Sequence, residues 1–533
     1  MHMKPTRLLV LGLTVFAGAC ASPRKAVVSG GAGVPVARVE TVVAGGLRTP
    51  EEVAAYNRVV GETMTALVES GALPRDSADG AEMVLGARRF RVAAPAGLRF
   101  DRLIPVAEGG KRRMRRSVEH PGVGVPMVAR WEGTPERRKA HPFLADSGYI
   151  FPVTVTVEPA VRAGGVEVLR VSRPAAGATV KLGGRELELA ADYSAVGEYL
   201  IYEVEHSEKK LGMPGLGALR HSGQYLDKTG IIALEPPSAD RIPLIFVHGL
   251  MSRPLTWHNA FNELGEDPVI RKRYQMYFFR YPTGVPVIYS ASRFREGLAT
   301  MDREMQRIGN REARGRMVLV GHSMGGLVSK MQVVDSGDRI ELAMFGKPLP
   351  AVGTGDKRVE ALRPLVEFGP NPHVERVIFV CTPHRGSRLA DGFIGKLGRK
   401  LISLPVQTLG TAGRAFGDVL SGDAGGTLAR LKLNGVPSSI DNLSPESPFV
   451  RESMRLPLRP GLHIHSIVGN KKLLPLSDPK CGDGVVPYTS AHLEGAESEL
   501  IVKSGHGAQE TPEAIAEIRR ILLLHLETKN RKQ

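Results

Sequence analysis

The ten residues Met317-Val318-Leu319-Val320-Gly321-His322-Ser323-Met324-Gly325-Gly326 constrain this chain more than any other stretch. Four apolar residues read as a buried strand, and a G-x-S-x-G sequence follows at once. Leu327, Val328, Met331 and Val334 then carry a helical spacing. Strand, tight turn and helix in that order is the setting of a nucleophile elbow: the serine is held at strained backbone angles, and glycines two residues away on either side avoid collision. Ser323 Oγ is then expected to stand exposed at the carboxyl edge of a sheet, beside a helix N-terminus that favours negative charge. In a chain with 61 glycines a bare G-x-S-x-G arises easily by chance. The strand before it and the helix after it give it meaning.

Such an elbow demands its partners in the chain order serine, acid, histidine. Upstream, Ile242-Pro243-Leu244-Ile245-Phe246-Val247 is a fully apolar strand that ends in His248-Gly249-Leu250. Glycine there lets the backbone approach a substrate, so the Leu250 and Met324 N–H groups are expected to form an oxyanion hole. His248 lies on the wrong element for a base and is read as holding its loop by a hydrogen bond. His463-Ile464-His465-Ser466-Ile467-Val468-Gly469-Asn470 reads as the next-to-last strand, and it leads to two candidate acids. Asp483, between Gly482 and Gly484 and before an apolar run, can be held rigidly while backbone amides reach it. Asp478 is the alternative, in a looser, proline-bounded loop. After a last strand, Glu499-Leu500-Ile501-Val502-Lys503, comes Ser504-Gly505-His506-Gly507, then a helix opened by Thr511-Pro512-Glu513. A histidine in that place can swing over the sheet edge to Ser323 while Asp483 fixes its tautomer. His384, in Thr382-Pro383-His384-Arg385-Gly386-Ser387, is expected near the site in a structural role.

From about residue 231 to 526 these motifs resemble those of an α/β-hydrolase. The resemblance is to the lipase-like branch, with bacterial triacylglycerol lipases and deacylases like those acting on inositol-linked lipid anchors. It is carried by Val247-His248-Gly249, the elbow, Thr382-Pro383-His384-Arg385-Gly386-Ser387, Asp483-Gly484-Val485-Val486-Pro487 and Ser504-Gly505-His506. It implies an α/β fold, a mostly parallel sheet flanked by helices, and a serine hydrolase acting on an acyl ester or lipid. Ser323 would attack, His506 would move the proton and Asp483 would orient His506. An acyltransferase would use the same residues, and a mainly binding cell-envelope protein and a peptidase are the remaining readings. Where many relatives have a small residue before the Thr-Pro pair, this chain has Cys381. The first 225 residues lie outside the resemblance.

The amino terminus has signal-peptide architecture: Lys4 and Arg7, then an apolar stretch over residues 8–16 too short to span a bilayer. It ends Ala17-Gly18-Ala19-Cys20, which resembles the lipobox of bacterial lipoproteins and implies cleavage before Cys20 and acylation of that cysteine. An ordinary signal peptide cut after Ala19 is the alternative. Ala21, not aspartate, favours the outer membrane, facing periplasm or exterior. No later stretch has the 18 or more apolar residues of a membrane span.

The chain divides into a signal peptide (1–19), a Gly/Val/Ala-rich tether (20–48), a helix and β-rich domain (49–224) and a catalytic domain (225–530). Thr49-Pro50-Glu51-Glu52 opens a helix with apolar positions at Val53, Tyr56, Val60, Met64 and Leu67. Alternating strands follow around residues 90–92, 151–157, 166–171 and 185–189, with a Gly183-Gly184 hairpin, and they read as a sandwich. Residues 388–460 form an insertion in which Leu389, Phe393, Leu397 and Leu401 make an apolar stripe, either a packed helix or a lid. The formal charge of +16, outside the cytoplasm, suits anionic lipid or lipopolysaccharide more than nucleic acid. The densest basic run, Lys111-Arg112-Arg113-Met114-Arg115-Arg116, has no aromatic residues to stack bases and reads as a solvated loop. Cys381 and Cys481 are either a disulfide or two buried thiols. No motif calls for a metal or cofactor, and the oligomeric state is left open.

Overall fold

The computed structural model describes residues 39–106, 114–162, 164–175, 177–208, 226–346, 348–349, 357–388 and 439–530. The signal peptide, Cys20 and the stripe Leu389, Phe393, Leu397 and Leu401 lie outside the described residues, as does the 224/225 domain boundary. Among the described residues no helix is long and apolar enough to cross a membrane.

The amino-terminal region builds β1 (Glu82–Leu85), β2 (Arg88–Ala93), β3 (Arg102–Pro105), β4 (Glu119–His120), β5 (Val125–Trp131), β6 (Tyr149–Glu158), β7 (Val166–Ser172), β8 (Thr179–Leu182), β9 (Arg185–Glu188) and β10 (Ala191–Asp192). Six of them pair in the order β1-β2-β7-β6-β5-β3, while β4 with β10 and β8 with β9 make two small ladders. Gly183 and Gly184, at φ 54° and 78°, turn the β8–β9 hairpin. The sandwich reading needs correction, because helices rather than a second sheet cover both faces. Tyr149, Phe151, Val153, Val155 and Val157 of β6 share the core with helix Pro50–Glu69. Ile150 points the other way, to Ala195 and Val196 of helix Ala195–Glu208. Helix Pro50–Glu69 starts as its sequence directs, with a Thr49–Glu52 capping box and proline in the first turn.

One further expectation is corrected. Residues 39–48 are packed rather than part of a tether: Val39, Val43 and Leu47, four apart, are buried in the main core, with a short helix over Val39–Val43. Of the basic run only residues 114–116 are described, and Arg115 and Arg116 are exposed, in keeping with a solvated loop, while pairing at the surface. Arg115 pairs with Glu263 and Arg116 with Glu266 at 3.1 Å, both acids on helix His258–Glu266.

The second sheet is β11 (Gly230–Ala233), β12 (Ile242–Val247), β13 (Tyr274–Arg280), β14 (Met317–His322), β15 (Val374–Val380), β16 (His463–Gly469) and β17 (Ser498–Val502). Its order is β11-β13-β12-β14-β15-β16-β17, parallel throughout except for β11. Both faces are covered, which is why β12 and β14 are wholly buried and read as continuous apolar runs. Ile242, Leu244 and Phe246 face Ala260, Leu264, Ile515 and Ile518 of the flanking helices. Ile245 and Val247 face the opposite core, which includes Phe294, Leu298 and Leu327 and continues into the amino-terminal sheet. The chain runs from β12 outward to β13 and then back past it to β14. In open sheets of this kind ligands bind at the carboxyl ends of the strands where the order reverses. That places the crevice between the ends of β12 and β14.

Candidate active site

Strand register brings the relevant loops to one level. Val247 pairs with Gly321, His322 with Val380, Val380 with Ile467, and Gly469 with Val502. The residues that follow these pairs therefore share the sheet's carboxyl edge.

The turn after β14 is as tight as its glycines suggest. Ser323 sits at φ 53°, ψ −126°, a conformation that costs a non-glycine residue on the order of 1–3 kcal/mol. A Cβ on Gly325 would lie 2.4 Å from the carbonyls of Val247 and His248, and one on Gly326 would strike Thr382. The following helix, Met324–Lys330, is shorter than the apolar spacing suggests, and Val334 lies beyond it. Ser323 Oγ caps no backbone amide of that helix and instead lies 2.8 Å from His506 Nε2. His506 Nδ1 is 2.7 Å from Asp483 Oδ2. The other oxygen of Asp483 accepts from the Val485 and Val486 amides, both at 2.7 Å. Burial opposes the charge of Asp483, but the hydrogen bond and charge of His506, with the two amides, outweigh it and hold the carboxyl below its ordinary value.

The acid loop depends on close approaches. A Cβ on Gly469 would stand 2.7 Å from Asp483 Cβ, and Gly482 and Gly484 adopt φ 153° and 90°. Asp478 instead accepts from the Lys480 amide within its own turn, and it is Asp483 that takes His506 Nδ1. Gly249 backs onto the serine: a Cβ there would be 2.9 Å from Ser323 Cβ. Leu250 follows it, and among the described residues neither the Leu250 N–H nor the Met324 N–H is taken by a carbonyl.

Three other histidines surround the site. His248 is buried, bonded from Nδ1 to the Gly249 carbonyl at 3.1 Å and stacked on Tyr281; burial lowers its pKa to about 4. It holds the loop, as its position suggests. His384 is fully buried with its ring edge-on to Phe379, and its amide donates to the Ser490 carbonyl at 3.0 Å, so it too is structural. His322 was not singled out by the sequence, yet its Nε2–H donates to the backbone carbonyl of His506 at 2.7 Å. Burial, then the neighbouring His506, lowers its pKa to about 3, so it is a neutral, fixed donor that positions the histidine loop. Its only signal is its place between Gly321 and Ser323. Cys381 stands at φ 49° directly after β15, and it and Cys481 are both free, so the disulfide reading falls.

The Alpha/beta hydrolase family matches residues 244–518, just over half of the 533 residues and the whole of this crevice. The chain belongs to that family. Among solved structures, the chain overlaps the mature form of the Bacillus licheniformis lipase BlEst2, with TM-score 0.30, 19% identity, and 58% of this chain and 99% of that one covered. The Staphylococcus hyicus lipase gives TM-score 0.35, 15% identity, and coverage of 56% and 100%. The metagenomic carboxyl esterase MGS0156 gives 0.31, 15%, and coverage of 56% and 79%. Overlap this loose says nothing about activity. No curated protein matches the chain in sequence.

Proposed function

We propose that the chain is a serine ester hydrolase that cleaves acyl esters, lipase- or carboxylesterase-like, through an acyl-enzyme. The observation that carries this reading is the unbroken path Asp483–His506–Ser323, with links of 2.7 and 2.8 Å, ending on a serine in strained backbone. His506 Nε2 takes the Ser323 proton as Oγ attacks the acyl carbonyl, and Asp483 keeps the remaining ring proton on Nδ1. The Leu250 and Met324 amides face the oxyanion of the tetrahedral intermediate, and loss of one such donor costs about 3–4 kcal/mol. His506 then protonates the leaving alcohol, and water, deprotonated by the same nitrogen, releases the acid and restores Ser323.

Turnover of p-nitrophenyl esters of graded acyl length tests this and ranks the substrates. The expected result is hydrolysis of at least one chain length, abolished by Ser323→Ala. A folded protein that turns over none of them contradicts the reading. An acyltransferase would divert the acyl group to an added alcohol at the expense of free acid, which product analysis of the same reaction separates.

The place of action rests on the amino-terminal sequence. Cleavage before Cys20 and acylation there would tether the hydrolase to the cell envelope, at the outer membrane, facing periplasm or exterior. One acyl chain binds a bilayer marginally and two or more bind stably, so Cys20→Ser is expected to move the protein out of the membrane fraction. Equal partition of the two forms would contradict the anchor.

A further inference from the structure

Cys381 is this chain's departure from the pattern of the lipase-like branch, and neither a disulfide nor the proposed reaction gives its thiol a role. Its backbone N–H is fixed to the Ile467 carbonyl at 2.9 Å, and the residue is 1% exposed. The Cys381 Sγ, a carboxylate oxygen of Asp483 and a ring nitrogen of His506 all lie within 4.8 Å of one another. We propose that these three side chains form a binding site for a soft divalent cation, Zn2+ or Cd2+, and that an ion bound there switches the hydrolase off.

The donor set fits such an ion. Thiolate, imidazole and carboxylate are the ligands of tetrahedral Zn2+, and three protein ligands leave the fourth position for water. Bond lengths of about 2.0–2.3 Å put neighbouring donors roughly 3.5 Å apart, so donors up to 4.8 Å apart need to close in by about 1.3 Å at most, and the Asp483–His506 pair, at 2.7 Å, needs to open slightly. Charge fits as well. Burial first, and the Asp483 carboxylate second, push the Cys381 thiol well above its ordinary range, so the resting site holds a thiol beside one negative charge. A dication displaces the thiol proton to water, and thiolate plus carboxylate then neutralise it. His506, its side chain 24% exposed, is the open side by which an ion arrives.

The consequence follows from the tautomer. Nδ1 is the nitrogen turned to Asp483. If the ion binds Nδ1, the ring proton moves to Nε2, and Nε2 loses the lone pair that accepts the Ser323 proton. If the ion binds Nε2, it occupies that lone pair directly. Either way the base is lost while the fold is kept. The binding stands on geometry alone; the inhibition rests on the hydrolase reading.

The test titrates Zn2+ and Cd2+ against ester hydrolysis, and Cd2+ against the ultraviolet thiolate-to-metal charge-transfer band, in wild type, Cys381→Ser and Cys481→Ser. Activity is compared with and without metal within each variant. Wild type and Cys481→Ser are expected to lose at least about tenfold in activity, restored by EDTA, and to show the band. Removing a group that merely orients a ligand costs 10–100-fold in affinity, so removing the thiolate itself should raise the inhibition midpoint by at least about 100-fold. Cys381→Ser should also abolish the band. One thiol proton leaves on binding, so the wild-type midpoint should rise about tenfold for each pH unit lowered. If Cys381→Ser does not fold, His506→Ala carries the test, with Cd2+ affinity expected to fall by at least about tenfold. Equal metal sensitivity in wild type and Cys381→Ser, or wild-type protein without the band, overturns the proposal. A Cys381-dependent band in a protein that hydrolyses no ester keeps the metal site and removes the hydrolase reading. Ester hydrolysis indifferent to both ions keeps the hydrolase reading and overturns the switch.

Discussion

The two sheets of this molecule differ in where their buried polar groups are left unmet. In the amino-terminal sheet most of them close on one another, with Tyr149 Oη and Thr156 Oγ1 of β6 as exceptions. Arg88 makes two 2.7 Å bonds to Glu167, with both side chains about a tenth exposed or less. Tyr56 OH donates to the Val157 carbonyl and accepts from the Val157 amide, and Trp131 Nε1 donates to Asp76 at 2.7 Å. At the carboxyl edge of the second sheet the polar groups are buried but left with spare capacity. His248 Nε2, His322 Nδ1 and Thr382 Oγ1 have no partner, and Ser323 and Cys381 occupy left-handed backbone at the ends of adjacent strands. Unmet hydrogen bonds and strain persist only where the surroundings over-determine them, and they cluster at functional sites. The first sheet is built for stability and the second edge for chemistry.

That contrast predicts that substitutions in the two regions separate activity from stability. The largest effect belongs to the triad. Ser323→Ala and His506→Ala should each lower kcat by on the order of 10⁴- to 10⁶-fold, and Asp483→Asn by about 10⁴-fold, with denaturation midpoints barely moved. Comparable losses of stability in these variants would break the contrast.

Next in size is Glu167→Ala, which leaves Arg88 buried without its counter-charge and should cost about 3–5 kcal/mol of unfolding free energy. Specific activity per folded molecule should be unchanged, as urea melts beside active-site titration would show.

The edge should then reveal itself in acid. His248 and His322 have folded pKa values of about 4 and 3, depressed mainly by burial, against about 6.5 unfolded. The unfolded chain therefore binds more protons between those values. The stability of keeping these rings neutral is complete above about pH 6.5 and is lost as pH falls toward 3–4. Each ring should account for on the order of 2–3 kcal/mol of destabilisation by pH 4.5. His322→Phe should flatten that slope and, by releasing the His506 carbonyl, lower kcat/KM about tenfold. A slope unchanged in His322→Phe would show that His322 is not the buried neutral donor described.

The smallest effect is the most telling in sign. Ser323→Gly removes the side chain that strains the turn, so it should destroy activity and yet gain about 1 kcal/mol of stability. A loss of stability on calorimetry would mean that the elbow is not strained.

Much of the edge was legible in the sequence because turn chemistry is local. Gly321, Gly325, Gly482 and Gly484 announce backbone that other residues resist, and the order Ser323, Asp483, His506 supplies the connection. The strands β12 and β14 were legible because burial on both faces leaves an apolar run. What escaped were contacts across sequence. His322 meets a carbonyl 184 residues away, and Gly469 owes its importance to an acid loop that only the fold brings against it. The packed segment 39–48 carried a four-residue apolar period, hidden among small residues that looked like a tether. The sandwich reading failed because helix Ala195–Glu208 is only weakly amphipathic, so its cover over β5 and β6 left little trace in the pattern.

The central claim is that Ser323 is an activated nucleophile, and a fluorophosphonate probe tests it directly, because the probe reacts only with a serine whose proton a neighbouring base can take. Labelling followed by peptide mass mapping should place one adduct on Ser323, with none formed in Ser323→Ala and little in His506→Ala. Labelling that persists in Ser323→Ala, or wild-type protein that remains unlabelled while folded, would contradict the account.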